Sequence, residues 1–187
     1  MAGTEQEYIF ERAGSPKHIR ELHMAFDRPP LYGKGFDWSG YTVWDAASLL
    51  LQYLLQLPES IIPVAFQDRF RSPLRGHQAQ VTGPMEGRRP SVDNFDEMAT
   101  LRVYQALIQE LLPLSRQPLL YLLDLLAVFA SKSRVNKMTT QKLAALFQPG
   151  ILGNSLNYTV EECRLSQDVL IFLIEYQDHL LISMSGN

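Results

Sequence analysis

Hydrophobic residues recur every three or four positions through most of the chain, and this spacing predicts amphipathic helices. Ser15 and Pro16 predict the start of the first one, because serine can cap free N–H groups and proline at the first position costs no hydrogen bond. The two-residue alternation of a half-buried strand never persists. The sequence therefore predicts an all-α fold. Further helices are predicted at 46–57, 64–70, 101–111, 117–131, 140–147 and 167–180.

Polar residues and prolines at the ends of these segments predict where the helices begin and end. Asp45, Thr139 and Ser166 are predicted N-terminal caps, and Pro58 and the Pro149-Gly150 pair are predicted stops. On the second helix, the apolar stripe predicts a buried face. Its members are Ala46, Leu50, Tyr53, Leu54 and Leu57.

Two segments lack a helical period. Residues 31–44 contain three glycines and several aromatic residues, which predicts a loop that its aromatic side chains hold against the body. Residues 74–96 are rich in Gly, Pro, Gln and Arg and have few large apolar side chains. We expect them to form a mobile surface loop, and a loop of that length has a function of its own or is an insertion.

Composition favours one domain over residues 1–187, because 187 residues with 46% hydrophobic content can bury a single core. The formal net charge of -3 offers no attraction to a polyanion, so nucleic acid is not an expected partner. The longest apolar run, 119–130, contains Asp124 and is shorter than the roughly twenty residues that span a bilayer. One cysteine, Cys163, and a start without signal-peptide features favour the cytoplasm.

Candidate chemistry within the chain is sparse. The histidines, the cysteine and the acids show no metal-ligand spacing, and the glycines of 33–40 are not followed by the GK[ST] of a phosphate-binding loop. No nucleophile can be paired with a base from the sequence. We therefore expect no metal, no cofactor and no intrinsic enzyme activity.

Three blocks of sequence nevertheless match a known pattern in order and spacing. IFERAGSPKHIRELHMAFD resembles GIFRxSGSxxxIxxLxxxFD of RhoGAP domains. YTVWDAASLLLQYLLQLPESIIP is similar to the family helix that ends in LPEP(L/I)IP, and NKMTTQKLAALFQPGIL is similar to NxMTxxNLAxxFxPxLL. The loop at 29–43, the helix at 119–133 and the last helix resemble in particular a fungal subgroup of these domains. The resemblance covers 9–186 and implies that the first helix of the family, upstream of the IF motif, is missing here or was never part of this chain.

The resemblance implies a RhoGAP-like helical bundle that binds the GTP form of a Rho-family small GTPase and accelerates its GTP hydrolysis in trans. It also implies an arginine finger at the fourth residue of GIFR, which stabilises charge on the phosphate oxygens in the transition state. This sequence has Glu11 at that position and Arg12 one residue later. In an extended loop, a shift of one residue moves a side chain by over ~3 Å and can turn it to the other side.

Further positions depart from, or qualify, the family pattern. Leu51 and Leu55 stand where LLKxxLRxLP has two cations that support the finger and the GTPase, and their spacing places them on one helix face. They either widen the buried face or form an exposed apolar strip that binds a partner. Lys142 replaces the asparagine of NLA, and Gly150 follows FQP where many members have asparagine, although the fungal subgroup tolerates glycine. Asn136 and Lys137 fit NxM and are predicted to stabilise the turn before Thr139.

The pattern of kept scaffold motifs and altered polar residues favours a GTPase-activating domain with impaired or absent finger catalysis. Glu11, Leu51, Leu55, Lys142 and Gly150 are its candidate GTPase-binding residues, and Arg12 is a candidate displaced finger. One alternative is a competent activator that uses Arg12. Another is a helical scaffold that no longer recognises GTPases and binds another protein through the Leu51/Leu55 strip or residues 74–96. A last one is a truncated or misassembled reading frame, with the finger in sequence outside this chain.

Overall fold

A computed structural model of the chain describes residues 3–76, 95–153 and 158–182. Within these ranges the regular structure is helical, without strands, which confirms the all-α prediction. A short 3₁₀ turn, Gly3–Glu5, precedes the first α-helix, and another, Ser72–Leu74, follows the third. The α-helices are α1 Pro16–Asp27, α2 Val43–Gln56, α3 Val64–Arg71, α4 Glu97–Glu110, α5 Pro113–Ser131, α6 Ser133–Asn136, α7 Thr140–Ile151, α8 Val160–Glu175 and α9 Gln177–Ile182.

Helix α8 lies at the centre of the bundle. Its residues from Val169 to Ile174 are all buried, because α3, α5 and α7 pack around it. A helix that is apolar on nearly every side is stable only in such a position. Helix α7 joins this core to α2, and α2 in turn carries α1 on its far side. None of the helices in the described ranges is both long and apolar enough to cross a membrane.

Two predicted N-terminal caps differ from the structure, and a third lacks the predicted hydrogen bond. Thr42 caps α2, and Asp45 is the reciprocal acid of its capping box instead of the cap itself. Thr159 and Glu162 form the same arrangement at α8, so the helix begins well before the predicted cap Ser166, which is buried within it. Ser15 precedes α1 as predicted, but its side chain makes no capping hydrogen bond. The cap at Thr139 is confirmed, since its hydroxyl accepts from the Lys142 N–H.

Other predictions are corrected by packing. Helix α7 continues through Pro149 and Gly150 to Ile151, so the predicted stop is wrong. On α2 the buried apolar residues are Ala47, Leu49 and Leu54, whereas the side chain of Tyr53, predicted as buried, is exposed. Most of the predicted 74–96 loop, residues 77–94, lies outside the described residues. Leu74, at its predicted start, is fully buried in the 3₁₀ turn.

The loop between α1 and α2 is held by aromatic side chains, as predicted. Trp38 contacts Phe26, Phe36 and Tyr41 with ring centroids 5.3–6.3 Å apart. Tyr41 also donates its hydroxyl to Glu21 of α1 at 3.1 Å. These contacts fix the loop against α1 because edge-to-face rings at such distances attract one another.

Candidate functional site

The segment that contains Glu11 and Arg12 is a tight turn. The backbone N–H groups of both residues donate to the carbonyl of Tyr8, at 3.0 and 2.9 Å. Tyr8 itself has a positive φ of 55° and donates its N–H to the Asn136 carbonyl at 2.8 Å. The segment is therefore a hydrogen-bonded turn and not the extended loop that the sequence analysis assumed.

The turn is anchored by two buried residues, Ile9 and Phe10. The Phe10 ring meets Phe129 of α5 and Phe147 of α7 edge to face, with centroids 4.8 and 4.9 Å apart. Burial of an aromatic side chain supplies much of the free energy that holds a surface turn in place. The IF pair of the sequence motif is therefore an anchor, and the next residues project from it.

Asp45 organises the base of the turn, where the chain enters α1. Its Oδ1 accepts from the Ser15 N–H at 2.6 Å, and its Oδ2 accepts from the N–H and the hydroxyl of Thr42 at 2.8 and 2.9 Å. His18 Nδ1 lies 3.0 Å from the same Oδ2. Burial opposes ionisation, but the hydrogen bonds from Thr42, His18 and Ser15 outweigh it and lower the pKa of Asp45 to about 2.

Gly14 lets the turn approach α2 closely. A Cβ at this position would lie 2.6 Å from Asp45 Cα and 2.8 Å from Asp45 N, distances at which atoms overlap. The Gly14 N–H donates to the Ser48 hydroxyl at 2.9 Å. The base of the turn is thus built from backbone contacts and a buried carboxylate, and it admits no side chain at residue 14.

At the tip of the turn, Glu11 forms an ion pair with Lys142 of α7. Lys142 Nζ lies 3.0 Å from Glu11 Oε1 and 3.2 Å from Oε2. The same ammonium lies 5.1 Å from the centre of the Tyr8 ring, within the range of a cation–π contact. The side chains of Glu11 and Lys142 are 34% and 41% exposed, so solvent reaches the pair.

Arg12 takes a different direction. Its guanidinium carbon lies 4.6 Å from the centre of the Trp44 ring at the start of α2, and the residue is exposed. It forms no ion pair among those found in the described part of the chain. The two departures at the finger position are therefore separated: the acid is paired with a lysine, and the arginine lies on an indole.

Asn136 connects the turn to α7. Its side-chain amide donates to the carbonyls of Thr4 and Phe129, at 2.9 and 2.8 Å, and its Oδ1 accepts from the Met138 N–H at 2.8 Å. Lys137 then adopts a left-handed conformation with φ of 63°. The predicted role of Asn136 in the turn before Thr139 is confirmed, and the same residue also holds the N-terminal segment.

Leu51 and Leu55 do not share one environment. Leu51 is half-buried and packs against the core, whereas Leu55 is 59% exposed. Gly150 is buried against α2, where a Cβ would lie 2.7 Å from Leu54 Cβ. Gly150 therefore sets the approach of α7 to α2, while Leu55 offers an apolar side chain to solvent.

Sequence reasoning missed Tyr8, Trp44 and the role of Asp45. The first two could have been found as aromatic residues close in sequence to the candidate finger and to the start of α2. The capping-box spacing of Thr42 and Asp45 was also a readable signal. No group of three His, Cys, Asp or Glu side chains that could hold a metal occurs in ranges 3–76, 95–153 and 158–182.

The described residues form an all-α domain with a projecting turn held against two helices, and comparison with known proteins gives its family. The family model of the RhoGAP domain matches residues 1–155. The chain belongs to the RhoGAP family.

Relatives with the same family character occur in fungi. The chain is 39% identical over 175 residues to Rho-GTPase-activating protein 5 of Schizosaccharomyces pombe, across 93% of this chain and 44% of that protein. It is 33% identical over 175 residues to Rho-GTPase-activating protein BAG7 of Saccharomyces cerevisiae, across 92% of this chain and 40% of that protein. The chain thus spans less than half the length of these relatives.

Solved structures share the fold at low sequence identity. The BH domain from GRAF, the GTPase regulator associated with focal adhesion kinase, superposes with a TM-score of 0.76 at 18% identity, over 97% of this chain and 87% of that one. Human Rho GTPase activating protein 15 gives 0.74 at 17% identity, over 96% and 77%. These likenesses show the fold.

Proposed function

We propose that this domain binds the GTP-bound form of a Rho-family small GTPase and that its stimulation of GTP hydrolysis is impaired. The observation that carries the proposal is the ion pair of Glu11 with Lys142 at the tip of the turn. Glu11 occupies the fourth position of the IF motif, where the family pattern has arginine. The domain acts as a regulator of another protein's reaction and not as an enzyme.

Charge explains why this arrangement disfavours catalysis. An arginine finger places a positive guanidinium on phosphate oxygens as negative charge shifts, and it contributes roughly three to five orders of magnitude in rate. A carboxylate at the same point repels the phosphates, and the nearby lysine brings the pair only to zero net charge. Lysine also lacks the planar fork of donors that arginine presents to phosphate.

Recognition of the GTPase does not depend on the finger alone. Leu55 and Tyr8 are exposed and offer apolar contacts to a partner, and the half-exposed ammonium group of Lys142 offers a cationic contact. Leu51, on the same helix, packs against the core, and Gly150 acts by setting the position of α2 against α7. We propose that these residues form the GTPase-binding surface.

Arg12 supports a second candidate function, that of a competent activator with a displaced finger. Arg12 is exposed and its guanidinium lies on an indole ring, a contact of about 0.5 kcal/mol at an exposed site. Release from Trp44 is therefore inexpensive. Even so, an error of about 1 Å in the placement of a catalytic group greatly lowers the rate of the reaction, which favours the hypothesis of impaired stimulation.

Single-turnover GTP hydrolysis by a panel of Rho-type GTPases tests both hypotheses, impaired stimulation and a displaced finger at Arg12. We expect tight binding to the GTP-bound GTPase and little stimulation by the unaltered chain. Glu11→Arg combined with Lys142→Asn restores the family pattern and should raise the rate by about tenfold or more. Glu7→Arg, on the same turn, is the matched control for added positive charge and should not.

Three outcomes separate the alternatives. Stimulation by the unaltered chain that disappears in Arg12→Ala would establish the displaced finger and contradict the impaired reading. Failure to bind any GTP-loaded member of the panel would favour a scaffold without GTPase recognition. Binding that weakens in Leu55→Asp but not in Val160→Asp, a change of another exposed apolar residue on α8, would support the proposed surface.

The domain boundary and the cellular location are also proposals. A continuous cluster of buried side chains runs from Ile9 to Leu180, which supports one domain over 1–187. The single cysteine, Cys163, is a free thiol and suits a reducing compartment. We propose a cytoplasmic location, with recruitment to membranes through the GTPase.

A further inference from the structure

A cavity of about 710 Å³ lies between α1, α2 and the loop that joins them. This volume is within the range of pockets that bind small ligands. The cavity is lined by none of the residues assigned to GTPase binding, so it calls for a function of its own. Its lining residues are His23, Phe26, Asp27, Tyr32, Trp38, Ala46, Leu49, Leu50 and Tyr53.

Aromatic rings form much of the cavity wall. Phe26 and Trp38 meet with centroids 5.9 Å apart and ring planes at 59°, so they form two sides of a corner. Tyr32 and Tyr53 line the same cavity and are 61% and 55% exposed, which leaves their rings accessible to a ligand. The Trp38 ring also packs against the Phe36 ring, with the two ring planes at 79°.

The charge of the lining favours a cation. Asp27 is the only carboxylate among the lining residues, and these include no lysine or arginine. His23 is engaged through Nε2 with the Gln52 side chain at 3.1 Å. A primary ammonium would need several hydrogen-bond acceptors, whereas a quaternary ammonium needs none and is attracted by the faces of aromatic rings.

The loop that borders the cavity adds two features. Leu31 and Tyr32 of this loop are exposed apolar side chains, 63% and 61% accessible. The exposed cations Arg28 and Lys34 flank them in sequence and can pair with a phosphate. Aromatic and apolar side chains beside cations suit a membrane interface.

We propose that this cavity binds the trimethylammonium group of phosphocholine, with its phosphate at the mouth beside Arg28 and Lys34. Asp27 and the rings of Phe26, Tyr32 and Trp38 hold the quaternary nitrogen. The ligand chemistry is that of the head group of a choline lipid or of soluble phosphocholine. The lining residues of this site do not include Glu11 or Lys142, and the proposal does not depend on the proposed binding of a GTPase.

Trp38 provides a direct reporter. The chain has two tryptophans, Trp38 and Trp44, so Trp44→Phe leaves the one that lines the cavity. In this background, titration with phosphocholine should give a saturable change in emission. Phosphoethanolamine, which has the same phosphate but a primary ammonium, is the matched control and should bind about tenfold more weakly. No saturable change, or equal responses to both compounds, would overturn the proposal.

Variants test the assigned contacts. Tyr32→Ala and Asp27→Asn should each weaken phosphocholine binding by about tenfold. Tyr121→Ala, which removes an exposed ring from α5 outside this cavity, should leave it unchanged. Circular dichroism and thermal unfolding of each variant establish that it is folded. Equal affinity of folded Tyr32→Ala and Asp27→Asn with the parent would contradict the site.

Vesicle sedimentation distinguishes the two sources of the head group. Binding to phosphatidylcholine vesicles but not to phosphatidylethanolamine vesicles, with competition by soluble phosphocholine, would identify a lipid ligand. Saturable binding of soluble phosphocholine without vesicle binding would identify a soluble ligand at the same site. Vesicle binding that follows anionic lipid content and ignores phosphocholine would overturn the proposal.

Discussion

The base and the tip of the turn at residues 8–15 are built in opposite ways. At the base, Asp45 is buried and accepts hydrogen bonds from Ser15 and Thr42, while Gly14 packs directly on the α2 backbone. At the tip, Glu11 and Lys142 form a half-exposed ion pair. A buried, multiply bonded carboxylate is costly to change, whereas an exposed pair contributes little to stability.

This difference explains how the chain can keep the fold of its family while the polar residues at the tip depart from the family pattern. Substitution at the base removes contacts that fold the domain. Substitution at the tip changes the charge that a partner meets, with almost no effect on folding. Four experiments measure the contrast.

The largest effect is expected at the base, from Gly14→Ala. The new methyl group would overlap the Asp45 backbone, which cannot move without shifting α2. We expect a loss of about 3 kcal/mol in the free energy of unfolding, measured by urea denaturation. Ala13→Ser, at the exposed neighbouring residue, is the control and should change stability by less than about 0.5 kcal/mol. Equal losses in the two variants would mean that Gly14 is not closely packed.

Asp45→Asn should destabilise the domain by about 2 kcal/mol near neutral pH. Hydrogen bonds lower the folded-state pKa of Asp45 to about 2, below its ordinary value of 3.8, so the charged form stabilises the fold. This contribution is present above pH 4 and is lost as the pH falls from about 4 to about 2. The difference between parent and variant should therefore shrink over that window in urea denaturation at a series of pH values.

Asp68→Asn is the control for Asp45→Asn, because Asp68 pairs with Arg75 at an exposed site. We expect a small change in unfolding free energy there. A difference between the parent and Asp45→Asn that stays constant from pH 6 to about pH 2 would contradict the role of the Asp45 charge.

At the tip, a double-mutant cycle of Glu11→Gln and Lys142→Met should give a coupling energy between about 0.2 and 1 kcal/mol. Salt should reduce it, since solvent reaches both side chains. The cycle uses thermal or urea unfolding at low and high ionic strength. A coupling energy of about 3 kcal/mol, the size typical of a buried pair, would contradict the expected contrast between the tip and the base.

The smallest effect is expected from Arg12→Ala. The guanidinium contact with Trp44 is worth about 0.5 kcal/mol at an exposed site, so stability should change by no more than that. Arg12→Lys should retain part of the contact. Trp44 fluorescence in a Trp38→Phe background should shift in Arg12→Ala and reports the loss of the contact directly. An unchanged spectrum would mean that the guanidinium does not rest on the ring in solution.

Much of the fold could be predicted because apolar spacing is local information. The segments of α1, α3 and α4 were found, and the cap at Thr139 was confirmed. The stop at Pro149 was wrong because tertiary packing of Gly150 against Leu54 continues α7 past the proline. The start of α8 was missed because Thr159 and Glu162 cap a helix whose first turn carries few apolar residues.

Only part of the candidate site could be predicted from the sequence. Glu11 and Arg12 are adjacent in the sequence, and comparison with the family pattern GIFR makes both of them candidate site residues. Their separation by partners, Lys142 for the acid and Trp44 for the arginine, joins positions far apart in the chain and depends on how α2 and α7 pack. The different exposures of Leu51 and Leu55 have the same origin, since one helix face was predicted for both.

The sequence by itself determined the helical class, the family and the presence of Glu11 and Arg12 directly after the IF pair. It did so because helical periodicity and motif spacing are carried by residues close together in the chain. Only the tertiary structure decided that Asp45 binds the base of the turn, that Lys142 pairs with Glu11, and that an aromatic cavity opens between α1 and α2. These features arise where helices meet, so their charge and burial depend on packing that no single segment encodes.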